Sequence, residues 1–256
     1  MELAVSQLRQ FRDDGYLVLR QAVPGLLVQR AIRAINHHLG SEGMPPDELP
    51  RFRAGSYCPG LGQTAPLTDL IRLSPVPALV EQLLGPGKLA PVGGAQIALR
   101  FPSPPGQDAA APSGHLDGIG TGLNGSPKGS YSRSFSALAV VLLSDLATGN
   151  AGNFTVWPGS HLAYEAYFKE RGFAELYSGM PRIDLPHGPV MLTGQAGDVV
   201  ISHHQIFHTA APNTSPHVRY AAIFRLKHVD CDTFKEGAVT DIWHEWAGIQ
   251  ALEEQG

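Results

Sequence analysis

The stretch between residues 94 and 226 constrains the fold more than any other. It holds six runs that read as strands: GAQIALRF (94–101), SFSALAVVLL (134–143), GNFTVW (152–157), PVMLT (189–193), DVVISHHQIFH (198–208) and VRYAAIFRL (218–226). Branched and aromatic residues dominate them, and most are bounded by Gly, Pro, Asn or Asp. One short helix, near 163–172, is expected to interrupt them. Helices do not alternate regularly with these strands, which argues against a doubly wound parallel sheet. The pattern predicts a mainly β protein with flanking helices, its core an antiparallel sandwich or barrel. The 29 glycines and 21 prolines fit a chain of many tight turns.

The helices are expected at the ends. Ser6 is placed to cap a first helix carrying Leu8 and Phe11, Gly15 ends it, and YLVLR follows as a short strand. Leu26, Leu27, Ala31, Ile35 and Leu39 recur at helical spacing. Residues 41–66 read as irregular, with helices near 67–73 and 76–84 after them. The tail TDIWHEWAGIQALEE reads as one more helix, docked through Trp243 and Trp246. The expected organisation is one domain over 1–256: a mostly helical part (1–88), a β-barrel core (89–228) and a helical tail (229–256).

Apolar residues make up 43% of the 256 positions and charged residues 16%, enough apolar surface for a real core. The formal charge is −4 without a long basic run, so neither nucleic acid nor an anionic membrane is called for. No apolar run reaches the length of a membrane span. The N-terminus reads as neither a signal nor a transit peptide. Cys58 and Cys231 are far apart and offer no disulfide framework, so a cytoplasmic location is the simple expectation. Nothing in the sequence specifies an oligomeric state.

HHQIFHTAAPNTSPHVRYA (203–221) concentrates four histidines and an arginine. If 198–208 and 218–226 form a hairpin turning between Asn213 and Thr214, His208 faces Arg219, with His204 on the same face. Earlier, in GHLDG, His115 and Asp117 are two apart and share one face of an extended segment. Two imidazoles and a carboxylate make the facial ligand set of non-haem Fe(II) oxygenases, with the opposite positions left for a co-substrate and O₂. A guanidinium is the best side chain for a carboxylate, and Arg219 beside His208 could hold the far carboxylate of 2-oxoglutarate.

The ordered set His115-x-Asp117, VWPGSH (156–161), GD (197–198), His208 followed by PN, and Arg219 resembles the phytanoyl-CoA dioxygenase family, as does the opening QLRQFRDDGYLVLR. The likeness covers roughly residues 5–228. It implies a double-stranded β-helix, or jelly-roll, and Fe(II)- and 2-oxoglutarate-dependent chemistry. His115, Asp117 and His208 would be the metal ligands that carry the chemistry, and Arg219 the 2-oxoglutarate anchor. Related halogenases carry a small residue in place of the carboxylate; Asp117 therefore points to hydroxylation, with succinate and CO₂ released. Leu116 replaces the glutamine common between His and Asp. The glycine-rich stretch 118–130 reads as a loop over the site mouth.

Other residues are weaker candidates. Gln96, Arg100 and Thr155 could contact the co-substrate. Arg51, Arg53, Tyr57, Arg133, Trp157 and His204 could bind a small-molecule substrate, an acidic one if the arginines face the pocket. His161 more simply fixes a loop. Two other classes compete: a jelly-roll that binds a ligand or metal without catalysis, and a metal-dependent hydrolase or isomerase. Arg219 speaks against the last, since hydrolysis needs no dicarboxylate anchor.

Overall fold

Period-two alternation in the strand-rich stretch resolves into two antiparallel sheets with a common apolar interior. The computed structural model describes residues 2–253. The larger sheet has the spatial order β1 (Tyr16–Leu19), β6 (Val199–His203), β3 (Ala137–Leu142), β8 (Arg219–Leu226), β2 (Ala95–Arg100). The smaller has the order β5 (Val190–Met191), β4 (Phe154–Val156), β7 (His208–Ala210). Sequence neighbours are mostly not spatial neighbours, because the chain passes repeatedly from sheet to sheet, as in a jelly-roll.

Alternate residues serve different layers. Leu138, Val140, Leu142, Val200, Ala221 and Ile223 project inward and meet Phe154 and Val156 of the smaller sheet. Ala139, Val141, Ile201, Phe224 and Leu226 project outward under the helices. Since β3 is buried on both faces, its sequence is an unbroken apolar run. The helices over the outer face are α1 (Val5–Asp14), α2 (Gly25–Glu42), α3 (Leu49–Ala54), α4 (Ala65–Arg72), α5 (Val76–Leu84) and α8 (Ala247–Glu253). They bury Phe11, Ile35, Leu70, Leu83 and Ile249, each fully or almost fully withdrawn from water. Burial of such a side chain stabilises by roughly 1.5–3 kcal/mol. Helix α6 (Ser160–Arg171) follows β4, and the short α7 (Cys231–Phe234) opens the tail.

Gly15 joins α1 to β1 at φ 80°, where its N–H caps Phe11 O at 2.9 Å. A Cβ there would fall 2.6 Å from His161 Nδ1, so only glycine permits the helix, the strand and the histidine to meet. His161 does fix this junction, through Nε2 to Arg12 O at 3.0 Å. Asp198, of the GD pair, ties the N-terminal strand to the barrel by accepting from Arg20 Nη1 (2.7 Å), Gln21 N (2.8 Å) and Gln195 N (3.0 Å).

Three expectations are corrected. Ser6 does not cap α1; the helix begins at Val5, and Gln7 Oε1 accepts the Ala4 N–H at 2.9 Å. The stretch TDIWHEWAGIQALEE is not one helix: residues 240–246 are turns that carry Trp243 and bury Trp246, and the helix α8 begins only at Ala247, with Glu254 outside the described residues. The run 198–208 is not one strand. It breaks after His203, where Ile206 N–H bonds His203 O at 3.1 Å, and residues 204–207 carry the chain from the larger sheet to the smaller.

Candidate active site

That break changes how His208 meets its neighbours. In β7, His208 pairs with Val156 of β4, and Phe154 packs on its ring at 5.3 Å. Both partners face the interior, so His208 does too. On its other side it forms a two-bond antiparallel bridge with His115: His115 N–H to His208 O (2.9 Å) and His208 N–H to His115 O (3.1 Å). Directly opposed residues share a face, so the two imidazoles lie together, centroids 4.6 Å apart. Asp117, two residues on, brings Oδ1 to 3.3 Å from His115 Nε2 and 3.8 Å from His208 Nε2.

These three offer ligand atoms all within 4.8 Å of one another; no other such metal-ligating group is found among the described residues. The protonation states suit a cation. His208 Nδ1 donates to Ile206 O at 3.0 Å, which leaves the Nε2 lone pair facing the site. Burial, with His115 alongside, lowers the His208 imidazole to about 4, so it is neutral at pH 7. Burial alone would raise the Asp117 carboxyl, but the hydrogen bond from His115, then His208 and then the Arg225 charge, outweigh this and lower it. Two imidazoles and a carboxylate, opening toward the exposed side of His115, fit a divalent transition metal with positions left for other ligands.

Arg219 does not pair with His208, as the assumed hairpin would require. Strands β7 and β8 lie in different sheets, and Arg219 is the Cα partner of Arg100 in β2. Asn213 shapes the connection by donating to Arg100 O (2.8 Å) and His217 O (2.7 Å). Arg219 nonetheless faces the interior, in phase with Ala221 and Ile223, and is 5% exposed. Its Nε donates to Gly152 O (2.7 Å) and Nη1 to Ala98 O (3.1 Å), which fixes the fork. Burial and the neighbouring Arg100 lower this guanidinium to about 9.

Residues 11–221 match the phytanoyl-CoA dioxygenase (PhyH) family. The chain belongs to that family. Its members are Fe(II)- and 2-oxoglutarate-dependent oxygenases, and the triad supplies the ligand types that such chemistry uses. Solved structures of similar fold include the non-haem alpha-ketoglutarate-dependent carbocyclase SnoK from nogalamycin biosynthesis (21% identity, TM-score 0.56, 88% of this chain and 83% of that one). Another is the epimerase SnoN in complex with Fe3+, alpha ketoglutarate and nogalamycin RO (19%, 0.58, 87% and 82%). A third is HygX from Streptomyces hygroscopicus with nickel and 2-oxoglutarate bound (17%, 0.56, 90% and 88%). No curated protein sequence matches the chain. No helix among the described residues is long and apolar enough to cross a membrane.

Around this PhyH-type centre the weaker candidates divide. Arg53, Tyr57 and Arg100 line a cavity of about 440 Å³ beside β7, which no carboxylate lines. Trp157 packs on Phe207 with ring centroids 4.8 Å apart, just behind the His115 segment. Gln96 faces the interior, where its Oε1 accepts from Arg225.

Four candidates lie elsewhere. Arg51 projects into solvent, its side chain 76% exposed and 3.6 Å from Glu48. Arg133 is locked in the core by a two-pronged ion pair with Glu245, one arm 2.8 Å, and cannot reach a substrate. Thr155 is on the face of β4 opposite Phe154 and Val156, and its hydroxyl donates to Asn153 O at 3.1 Å. His204 is buried against His203, ring centroids 4.3 Å apart, with Arg133 and His161 rather than the triad as its further ionisable neighbours.

Arg225 shares the strand face assumed for Arg219, so the sequence left open which arginine serves the site; the structure brings Arg225 to the triad. Its Nη2 is 3.1 Å from Asp117 Oδ2. Even spacing from Arg219 along one strand put it on the interior face; its partner could not be read without the register.

Proposed function

We propose that this protein is an Fe(II)- and 2-oxoglutarate-dependent dioxygenase that oxidises, by hydroxylation, a C–H bond of a small metabolite or natural-product intermediate. The observation that carries this is Asp117 Oδ1 lying 3.3 and 3.8 Å from two imidazole Nε2 atoms in a two-sheet core whose interior also holds a fixed arginine, Arg219, with no ion-pair partner among the described residues. His115, Asp117 and His208 would hold the metal. Bound ferrous iron supplies the redox chemistry: O₂ is reduced while 2-oxoglutarate loses CO₂ to become succinate and the substrate C–H bond is oxidised.

The chain's own groups do the rest. The Nδ1–H bond of His208 to Ile206 O keeps its ring oriented and its other nitrogen bare. Arg219, braced by two backbone carbonyls, presents its remaining N–H groups to the distal carboxylate of 2-oxoglutarate. Leu116 and Tyr131 belong to one apolar cluster, with Phe207 packed against it, that supports the segments carrying the triad. The glycine-rich loop, where Ile119 bridges Tyr131, borders the same end. The neighbours named as acting in nogalamycin biosynthesis favour a natural-product intermediate over a CoA thioester.

Succinate release from 2-oxoglutarate with Fe(II) and ascorbate, screened against metabolites, tests the reading. The wild type should turn over 2-oxoglutarate and His208→Ala should not. Equal background in both proteins across a broad screen would leave the binding-module alternative standing.

A further inference from the structure

The two oxygens of Asp117 have different surroundings. Oδ1 faces His115 Nε2 (3.3 Å) and His208 Nε2 (3.8 Å), whereas Oδ2 accepts from Arg225 Nη2 (3.1 Å). The other arm of the fork, Arg225 Nη1, donates to Gln96 Oε1 at 2.9 Å. The strand register makes this bridge. Gln96 is opposite Ile223, two residues before Arg225, so the two side chains are diagonal neighbours on the interior face. Phe135 supports the guanidinium from below, 5.6 Å from ring centroid to Cζ.

We propose that Arg225 is a positioning residue of this centre, clamping Asp117 through Oδ2 so that only Oδ1 is free to ligate the metal. The inference rests on the Fe(II)/2-oxoglutarate reading. A facial set must leave three positions open, two for 2-oxoglutarate and one for O₂. A carboxylate free to chelate with both oxygens would take one of them. A guanidinium holds its partners in a planar fork of fixed geometry, here Asp117 Oδ2 on one arm and Gln96 Oε1 on the other. A bland surface ion pair would not sort the oxygens this way. The Asp117 side chain is 13% exposed, and among the described residues its non-histidine ion-pair partner is Arg225.

The test uses Arg225→Met, Arg225→Lys and Gln96→Met, each titrated anaerobically with Fe(II) alone and then with 2-oxoglutarate. The visible charge-transfer band of the Fe(II)–2-oxoglutarate complex reports the second step. Arg225→Met should keep its melting temperature while 2-oxoglutarate affinity of the Fe(II) form falls about 10- to 100-fold and the band weakens or shifts. Arg225→Lys, with a single charged point in place of a fork, should fall between. Gln96→Met should show a smaller change of the same sign, and both decide the question if Arg225→Met does not fold. Wild-type band and affinity in the folded variants would overturn the proposal, as would equal losses of metal binding, co-substrate binding and stability. A wild type that gives no band with Fe(II) and 2-oxoglutarate would instead sink the parent reading.

Discussion

Arg100 and Arg219 are Cα partners across the β2–β8 pair, two cations on the interior face whose ionisable neighbours among the described residues are Tyr57 and Arg53 and include no carboxylate. Like charges directly opposite each other destabilise a sheet, and burial adds to the cost. The pair therefore stands ready for an anion. Arg219→Met should raise the KM for 2-oxoglutarate about 10- to 100-fold, the worth of a charge-assisted bidentate contact. Thermal melts with and without 2-oxoglutarate check this independently: the co-substrate should stabilise the wild type and not the variant.

Gly152 makes room for both arginines. A Cβ at this position would sit 2.8 Å from Arg100 Cβ and 3.1 Å from Arg219 Cβ, at a backbone φ of 76°. Gly152→Ala should cost about 1–3 kcal/mol of stability from the strained backbone. It should also weaken 2-oxoglutarate binding, because Gly152 O braces Arg219 Nε. Urea unfolding and 2-oxoglutarate titration separate the two effects; an unchanged affinity would show that the brace is unimportant.

Arg133 and Glu245, each with a side chain 1% exposed, tie the start of β3 to the C-terminal tail. Ser136 Oγ also donates to Glu245. Breaking such a pair strands a buried charge, so Arg133→Met should destabilise by about 3–5 kcal/mol. The double variant Arg133→Met/Glu245→Leu should lose less than the single one, since no unpaired charge remains. Equilibrium denaturation of both, with the wild type, gives the comparison.

Acid should loosen the junction of α1, α6 and the tail. His161, His203 and Trp243 pack ring on ring, and burial lowers His161 to about 4 from its usual 6.5. The unfolded chain then binds more protons than the folded one between those values. Stability is complete above pH 6.5 and declines as pH falls toward 4, by about 1.4 kcal/mol per pH unit for this one group. Melting temperatures from pH 7 to 5 should fall in the wild type and fall less in His161→Gln. Tryptophan fluorescence follows Trp243 directly.

Much of this was written locally. Alternating apolar residues marked the strands because each must bury one face or both, and Gly15 marked the end of α1 because only glycine takes that φ without strain. The spacing of His115 and Asp117 put both on one side of an extended segment. These are properties of neighbours in the chain, and periodicity exposes them.

Pairing between distant segments was not local. The run 198–208 looks like one strand because the residues that cross between sheets, His204 to Phe207, mix polar and apolar side chains much as Val199 to His203 do. Only the two-sheet geometry requires the chain to turn there, and that turn buries His204 beside His203 instead of beside the triad. Arg133 reads as a candidate for substrate binding until Glu245, 112 residues on, arrives beside it. The sequence determined which faces are apolar and which residue types could ligate a metal, since a side chain's direction follows from its own backbone. Tertiary structure alone decided which charges meet, because an ion pair depends on the register and packing of segments that the chain brings together only on folding.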